Sequence, residues 1–198
     1  MGDAIIPDSA DPLNLFRQWL REAELSEPHD PNAAALATST ADGVPSVRMV
    51  LVKRVDERGF CFFTNAESRK GRELAENPAA ALCFYWKSLD RQVRVEGRVT
   101  ELETAEVEAY FHTRSRRSQI GATVSEQSQP LASREELLER FDSFEAQHPG
   151  EVPLPPHWRG YCLSAERIEF WINRPDRLHD RVLFTATKAG WEKTRLYP

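Results

Sequence analysis

Cationic side chains crowd one short span of this sequence. Arg48, Lys53, Arg69 and Lys70 lie in RMVLVKRVDERGFCFFTNAESRK, residues 48–70, close to mostly apolar runs. Thr64 and Ser68 stand among them. Such a set suits a phosphate or dinucleotide-like anion, held by short, charge-assisted bonds. The same residue types also serve as solvated surface at strand ends and in first helical turns. The span reads as strand, tight turn, strand and helix start. In the turn, DERG at 56–59, Gly59 supplies the positive φ that closes a short hairpin. In an uninterrupted strand Arg48 and Lys53 would face opposite sides, being an odd number of residues apart. Either a bulge re-aims one of them, or they serve two different groups at opposite surfaces.

A second set follows at Tyr110, Arg114 and Ser118, spaced i, i+4, i+8. A continuous helix would stack them on one face, where two hydroxyls and a guanidinium can bind a phosphate dianion. A break around Ser115 would weaken that geometry, and a core Tyr110 with a surface Arg114 is the plainer alternative. The polar run 119–131 carries Gln127 and Ser128. It serves as a loop, completes an anion cradle, or approaches a heterocycle from another subunit. RLHDR at 177–181 is the sharpest local cluster. If extended, it sets Arg177 and His179 on one face with Arg181 two further on, and Trp171 precedes it. Two arginines, a histidine and an indole suit a flat, anionic aromatic ligand. His179 beside Asp180 would otherwise be a surface pair. No serine–histidine–acid arrangement stands out, and five scattered histidines give no metal-ligand pattern, so no metal is expected. Neither G-x-G-x-x-G nor a P-loop is present, so side chains would have to hold a phosphate.

The elements that must position these groups read as follows. Residues 1–10 form a flexible arm and 11–198 a single domain. Asp11 caps a helix with Pro12 at its first position; it runs to about Leu25, with Leu13, Phe16 and Leu20 on one face. Strands are expected at 33–40, 44–55, 60–63, 80–87, 91–103, 161–172, 181–188 and 191–198, some of them short, giving six or seven in the sheet. Helices are expected over 68–76, Thr104–Thr113, Arg116–Val124 and 133–150, the last capped by Ser133, with 151–158 as an extended connector. Hairpin connections with helices at the edges predict a mainly β fold, a small closed barrel with peripheral helices. Cys61, Cys83 and Cys162 lie in or beside apolar runs without C-x-x-C spacing and are read as buried free thiols. A formal charge of -5 argues against nucleic acid or an anionic membrane as partner. With no leader and no long apolar span, a soluble, cytoplasmic protein is expected.

Taken together and in order, RMVLVK at 48–53, FFTNAESRK at 62–70, RQVRVEG at 91–97, YFHTRSRRSQIGATVSEQS at 110–128, IEFW and RLHDR are highly specific. The sequence resembles the pyridoxine (pyridoxamine) 5'-phosphate oxidase family, flavoproteins that make pyridoxal 5'-phosphate, from Asp11 to Pro198. The resemblance implies an FMN-binding split β-barrel and a homodimer with sites shared between subunits. It implies FMN contacts at Arg48, Met49, Val50, Leu51, Val52, Lys53, Phe63, Thr64, Arg69, Lys70, Gln92, Gln127, Ser128, Trp171 and Arg181. Lys53, Tyr110, Arg114 and Ser118 would hold the substrate phosphate, with Arg177 and His179 over the pyridine ring as the catalytic pair. Hydride would pass from the substrate to the flavin, and dioxygen would be reduced to hydrogen peroxide. Lys70 and Gln127 would reach one flavin from different subunits. Three positions depart from the family pattern: Phe63 for a frequent tyrosine, Ser115 for a proline and Thr123 for a tryptophan. The resemblance extends to oxidases of phenazine pathways. A non-catalytic flavin- or pyridoxal-phosphate-binding protein is the reading from another class.

Overall fold

The computed structural model describes residues 6–198, so the first half of the expected arm lies outside the described residues. The arm's remainder is not loose throughout, because Ile6 is buried against the core.

Helix α1 (Pro12–Ser26) starts where Asp11 Oδ1 accepts the Leu13 and Asn14 N–H groups at 2.9 and 3.2 Å. Its buried stripe is Leu15, Phe16, Trp19 and Ala23, while the expected Leu13 and Leu20 flank it half-buried. Phe16 decides the rotation: its ring packs edge-on against Phe60 and Phe84, each at 4.8 Å.

Eight strands follow: β1 (Ala33–Ser39), β2 (Pro45–Asp56), β3 (Gly59–Asn65), β4 (Ala79–Trp86), β5 (Arg91–Glu101), β6 (Trp158–Ile172), β7 (Asp180–Thr187) and β8 (Gly190–Leu196). They form one antiparallel sheet in the order β3-β2-β1-β4-β5-β6-β7-β8, and a further β3–β6 pairing closes the first six into a barrel. The expected closed barrel with peripheral helices is therefore correct. The expected count of six or seven strands was low, although each of the eight strands has its counterpart among the expected ranges; β6 begins earlier than expected, at Trp158, inside what read as a connector. Helices α2 (Arg69–Glu76), α3 (Thr104–Thr113), α4 (Arg116–Val124) and α5 (Arg134–Gln147) fall close to their expected bounds.

Two irregularities shape the barrel. In β2, Val52 pairs with Phe62 but Arg54 with Cys61, so Lys53 is an extra residue. In β6, Glu96 of β5 pairs with Arg167 while Gly97 pairs with Ala165, leaving Glu166 unpaired. Gly97 is required there, since a Cβ would lie 2.0 Å from the Ser164 carbonyl oxygen. Gly59 takes the positive φ expected of it, at 128°, with a Cβ position 1.9 Å from the Leu163 carbonyl.

One expectation is overturned. Cys61 and Cys162 sit directly opposite each other in the β3–β6 pairing, with Cα atoms 4.0 Å apart, and are joined as a disulfide. Chain separation hid this: the two are 101 residues apart and meet only once the barrel closes. Among the described residues they also belong to the one group of potential metal ligands, with Asp56, and the bridge occupies both sulfurs. Only Cys83 remains a free thiol. Titrating denatured protein with a thiol reagent should therefore count one thiol per chain before reduction and three after. Three before reduction would remove the bridge. No described helix is long and apolar enough to cross a membrane.

Candidate functional site

A cavity of about 560 Å³ opens beside the β2 irregularity, within the size range of small-molecule sites. Alternation along β2 sends Met49, Leu51 and Lys53 outward and Val52 into the core. Met49, Val50, Leu51 and Lys53 all line the cavity. Arg48 faces the other way. It donates to the Leu36 carbonyl at 3.2 Å and Thr38 Oγ1 at 2.5 Å, and contacts Ser46 and Glu73. So the two cations do serve opposite surfaces, and the bulge does not bring them together. Val52 is not in the cavity; Asn32 engages both its N–H and its carbonyl, each at 3.0 Å.

Beneath β3, Ser68 caps α2 and turns Lys70 back toward the sheet. Lys70 is 7% exposed, and its Nζ donates to Thr64 Oγ1 at 2.9 Å, Ser68 Oγ at 3.0 Å and Gln127 Oε1 at 2.6 Å. All three acceptors are neutral. Burial, and secondarily the charge of Arg48, push the amine down to about 8. An ammonium held this way lacks a counter-charge that an anion would supply. Gln127 thus belongs with Lys70 and Thr64 in the same chain, which corrects the expectation that it meets Lys70 only across subunits. Ser128, at a left-handed φ of 75°, is exposed and outside the cavity lining.

Arg69 is ion-paired to Glu73 at 2.8 Å and half-exposed, also outside the lining. Glu73 is a residue that sequence reasoning missed. It is 4% exposed, and Thr38 and Ser46 hydroxyls each donate to it at 2.5 Å. Burial works to raise its carboxyl, but bonds from Ser46, Thr38 and Arg69 outweigh that and hold it at about 2. Its spacing of four from Arg69 was the available signal.

The opposite wall is aromatic. Phe63 stacks on Tyr110 at 4.0 Å and on Trp158 at 5.4 Å, and the Arg114 guanidinium lies over Trp158 at 4.9 Å. Trp158 was also missed, being the last residue of an apparent connector. The break named around Ser115 is present: α3 stops at Thr113, Arg114 is extended, and Ser115 caps α4 by accepting the Ser118 N–H at 3.3 Å. The break nevertheless directs Tyr110, Arg114 and Ser118 into the one cavity. Arg114 Nη1 is buried without a hydrogen-bond partner. Burial lowers its proton affinity and raises that of Tyr110. Thr123 donates to the Gln119 carbonyl within α4 at 3.0 Å.

The remaining predicted residues assemble elsewhere in the chain. Gln92, Trp171 and Arg181 form a cross-strand row over β5, β6 and β7. The His179 ring lies against Trp171 at 4.7 Å, and Trp171, Arg177 and His179 line a depression of about 430 Å³. The segment is extended only from Asp180 onward, so the condition for Arg177 and His179 to share a strand face is not met. A 3-10 turn at Pro175–Arg177 puts Asp176 and Arg177 at φ 56° and 61°. The predicted site thus divides into a phosphate-suited cavity and a stacking row.

Residues 20–148 match the family model described as "Pyridoxamine 5'-phosphate oxidase", and residues 158–198 match "Pyridoxine 5'-phosphate oxidase C-terminal dimerisation region". The chain belongs to the pyridoxamine 5'-phosphate oxidase family. It is 54% identical over 200 residues to the pyridoxine/pyridoxamine 5'-phosphate oxidase of Gluconobacter oxydans, covering 100% of both chains. It is 55% identical to the enzyme of that name from Anaeromyxobacter dehalogenans, covering 98% of this chain and 99% of that one. Among solved structures, PhzG from Burkholderia lata 383, in complex with tetrahydrophenazine-1-carboxylic acid, superposes with a TM-score of 0.93 at 34% identity. The alignment covers 99% of this chain and 98% of that one. Membership of the pyridoxamine 5'-phosphate oxidase family brings a flavin cofactor with it.

Lys70 gives the cavity a measurable signature. Its amine titrates near 8 when folded and at about 10.4 in an unfolded chain, so between those values the unfolded state binds more proton. Stability of the flavin-free protein should therefore rise with pH through that window relative to Lys70→Met. Urea midpoints of the two proteins at pH 7 and 10 check this. A stability difference independent of pH would contradict the buried ammonium.

Proposed function

We propose that this chain oxidises pyridoxine 5'-phosphate and pyridoxamine 5'-phosphate to pyridoxal 5'-phosphate, with FMN as cofactor and dioxygen as electron acceptor. The observation that carries the reading is the pair of cations lacking carboxylate partners, buried Lys70 and half-buried Arg114, lining one cavity. Two separate cationic sets suit two phosphates, one on the cofactor and one on the substrate.

In this reading Lys70, Thr64 and Gln127 hold the FMN phosphate. Arg48 and Arg69 add positive potential from behind, tempered by Glu73. Lys53, Tyr110, Arg114 and Ser118 hold the substrate phosphate, and the Phe63–Tyr110–Trp158 stack fixes their height. The Gln92–Trp171–Arg181 row lies outside the cavity, and a second copy of the chain brings it over the flavin, with Arg177 and His179 facing the pyridine ring. Bound FMN would supply the hydride acceptor and return its electrons to dioxygen as hydrogen peroxide. The alcohol needs only dioxygen, giving aldehyde and peroxide; the amine also consumes water and releases ammonia. Arg177 and His179 orient the reacting carbon, and the Arg177 charge favours electron density developing in the ring. No strong base is required of the protein.

The PhzG complex supports a second reading, in which the substrate is an unphosphorylated carboxylic acid. The Lys53, Tyr110, Arg114 and Ser118 set favours a phosphate over a planar carboxylate. An aerobic assay of FMN-loaded protein, following aldehyde and peroxide, decides. Turnover of pyridoxine 5'-phosphate is expected, and turnover of neither phosphorylated vitamer would sink the proposal.

Two further outcomes follow from the assignments. Arg114→Ala should raise KM for pyridoxine 5'-phosphate, by about 2–5 kcal/mol of lost binding, and leave FMN affinity intact. A lost flavin with unchanged KM would mean that Arg114 serves the cofactor instead. For the shared site, Lys70→Ala and Trp171→Ala/Arg181→Ala should each be folded and nearly inactive. Mixed heterodimers, verified by differential tagging, should recover up to about half of wild-type activity, because one site collects every lesion and the other none. Verified heterodimers without recovery would place both clusters of one chain at the same flavin.

A further inference from the structure

Arg181 is held by a carboxylate that the mechanism above does not use. Glu169 lies in the middle of β6, opposite Arg94 of β5 and Leu183 of β7, one row before Trp171 on the same face. It is 4% exposed, inside an otherwise apolar run. Its Oε2 accepts from Arg94 Nη2 at 2.6 Å and its Oε1 from Arg181 Nε at 2.7 Å. Burial would raise the carboxyl, but Arg181 and Arg94 together outweigh it and keep Glu169 ionised. Arg181 Nη1 is fixed in turn by the Tyr197 carbonyl at 2.9 Å. With Nε and Nη1 both tied, the planar fork has one orientation, and its Nη2 edge is left for a ligand.

The second arginine resolves an electrostatic difficulty. A lone Glu169–Arg181 pair would be neutral and would attract an anionic or electron-rich ligand poorly. Arg94, bound to the other carboxylate oxygen, returns the group to a net single positive charge, since Glu96, 3.9 Å from Arg94, is balanced by Arg167 at 3.4 Å. Glu169 can therefore orient Arg181 without cancelling it. We propose that Glu169 is a positioning residue for the flavin, acting through Arg181, with Arg94 as its counter-charge. This rests on the reading above that Arg181 contacts the cofactor.

The test measures the FMN Kd by quenching of flavin fluorescence, together with the melting temperature of each flavin-free variant. Glu169→Gln keeps the size and one acceptor but removes the charge. It should weaken FMN binding roughly tenfold, and Arg181→Ala at least as much. The double variant should bind no worse than Arg181→Ala alone, because the carboxylate acts only through that guanidinium. Unchanged affinity in Arg181→Ala would reject the cofactor contact itself. Weakened binding in Arg181→Ala with wild-type affinity in Glu169→Gln would reject the positioning role alone. Additive losses in the double variant would assign Glu169 to the fold and overturn the inference. Should Glu169→Gln not fold, Arg94→Met leaves the Glu169–Arg181 bond in place. That variant should bind FMN several-fold more weakly with Arg181 present and no differently with Arg181→Ala, and any other pattern overturns the proposal.

Discussion

Along one edge of β6, residues 158–163 pair with β3 and residues 167–172 pair with β7. A single strand edge cannot serve two partners without a break. The unpaired Glu166 and the side-chain-free Gly97 opposite Ala165 provide it. Both halves of the site descend from this change of partner. The first pairing closes the barrel and brings Trp158 against Phe63, building the aromatic wall beneath Arg114. The second pairing lines up Glu169 and Trp171 with Arg181.

The cations fall into two electrostatic classes. Arg48 and Arg69 share buried Glu73, and Arg94 and Arg181 share buried Glu169. Lys70 and Arg114 have no such partner. Removing a cation from water is costly unless an opposite charge compensates, so those two carry an unrelieved desolvation cost in the ligand-free protein. Neutral acceptors lower the cost for Lys70, and aromatic faces do so for Arg114. Neither neutralises the charge. A bound dianion does, and the cavity is thereby arranged to be more comfortable filled than empty.

Much of this organisation was legible in the sequence, and the failures share a physical cause. Caps at Asp11 and Ser133, the turn at Gly59 and the alternation of β5 are local signals, and each placed its element within a residue or two. The cavity residues Lys53, Thr64, Lys70, Tyr110, Arg114 and Ser118 were legible because their chemistry is unusual for their surroundings. What escaped were contacts made only on closure: the Cys61–Cys162 bridge, the pairing of β6 with two strands, and the company of Gln127 and Lys70. Glu73 and Glu169 escaped for another reason. A glutamate's burial depends on which arginines arrive beside it: the spacing of four reports that Glu73 can pair with Arg69 but not that it is buried, and no local pattern reports Glu169. The turn at Asp176–Arg177 escaped because Asp tolerates a positive φ without requiring one, and Arg adopts it only rarely.

Gly59 and Gly97 come from different strands, yet each presses on β6 at consecutive residues, against the Leu163 and Ser164 carbonyls. Every change of a glycine codon that alters the residue adds at least a methyl group, and here a methyl carbon would sit far inside van der Waals contact distance of a backbone oxygen. Natural variation at both positions is thereby closed off by geometry, although neither lines the cavity. Such fixed glycines would stand out in any family of descendants as strongly as a catalytic group. Their invariance would record the seam of the barrel and carry no information about the ligand.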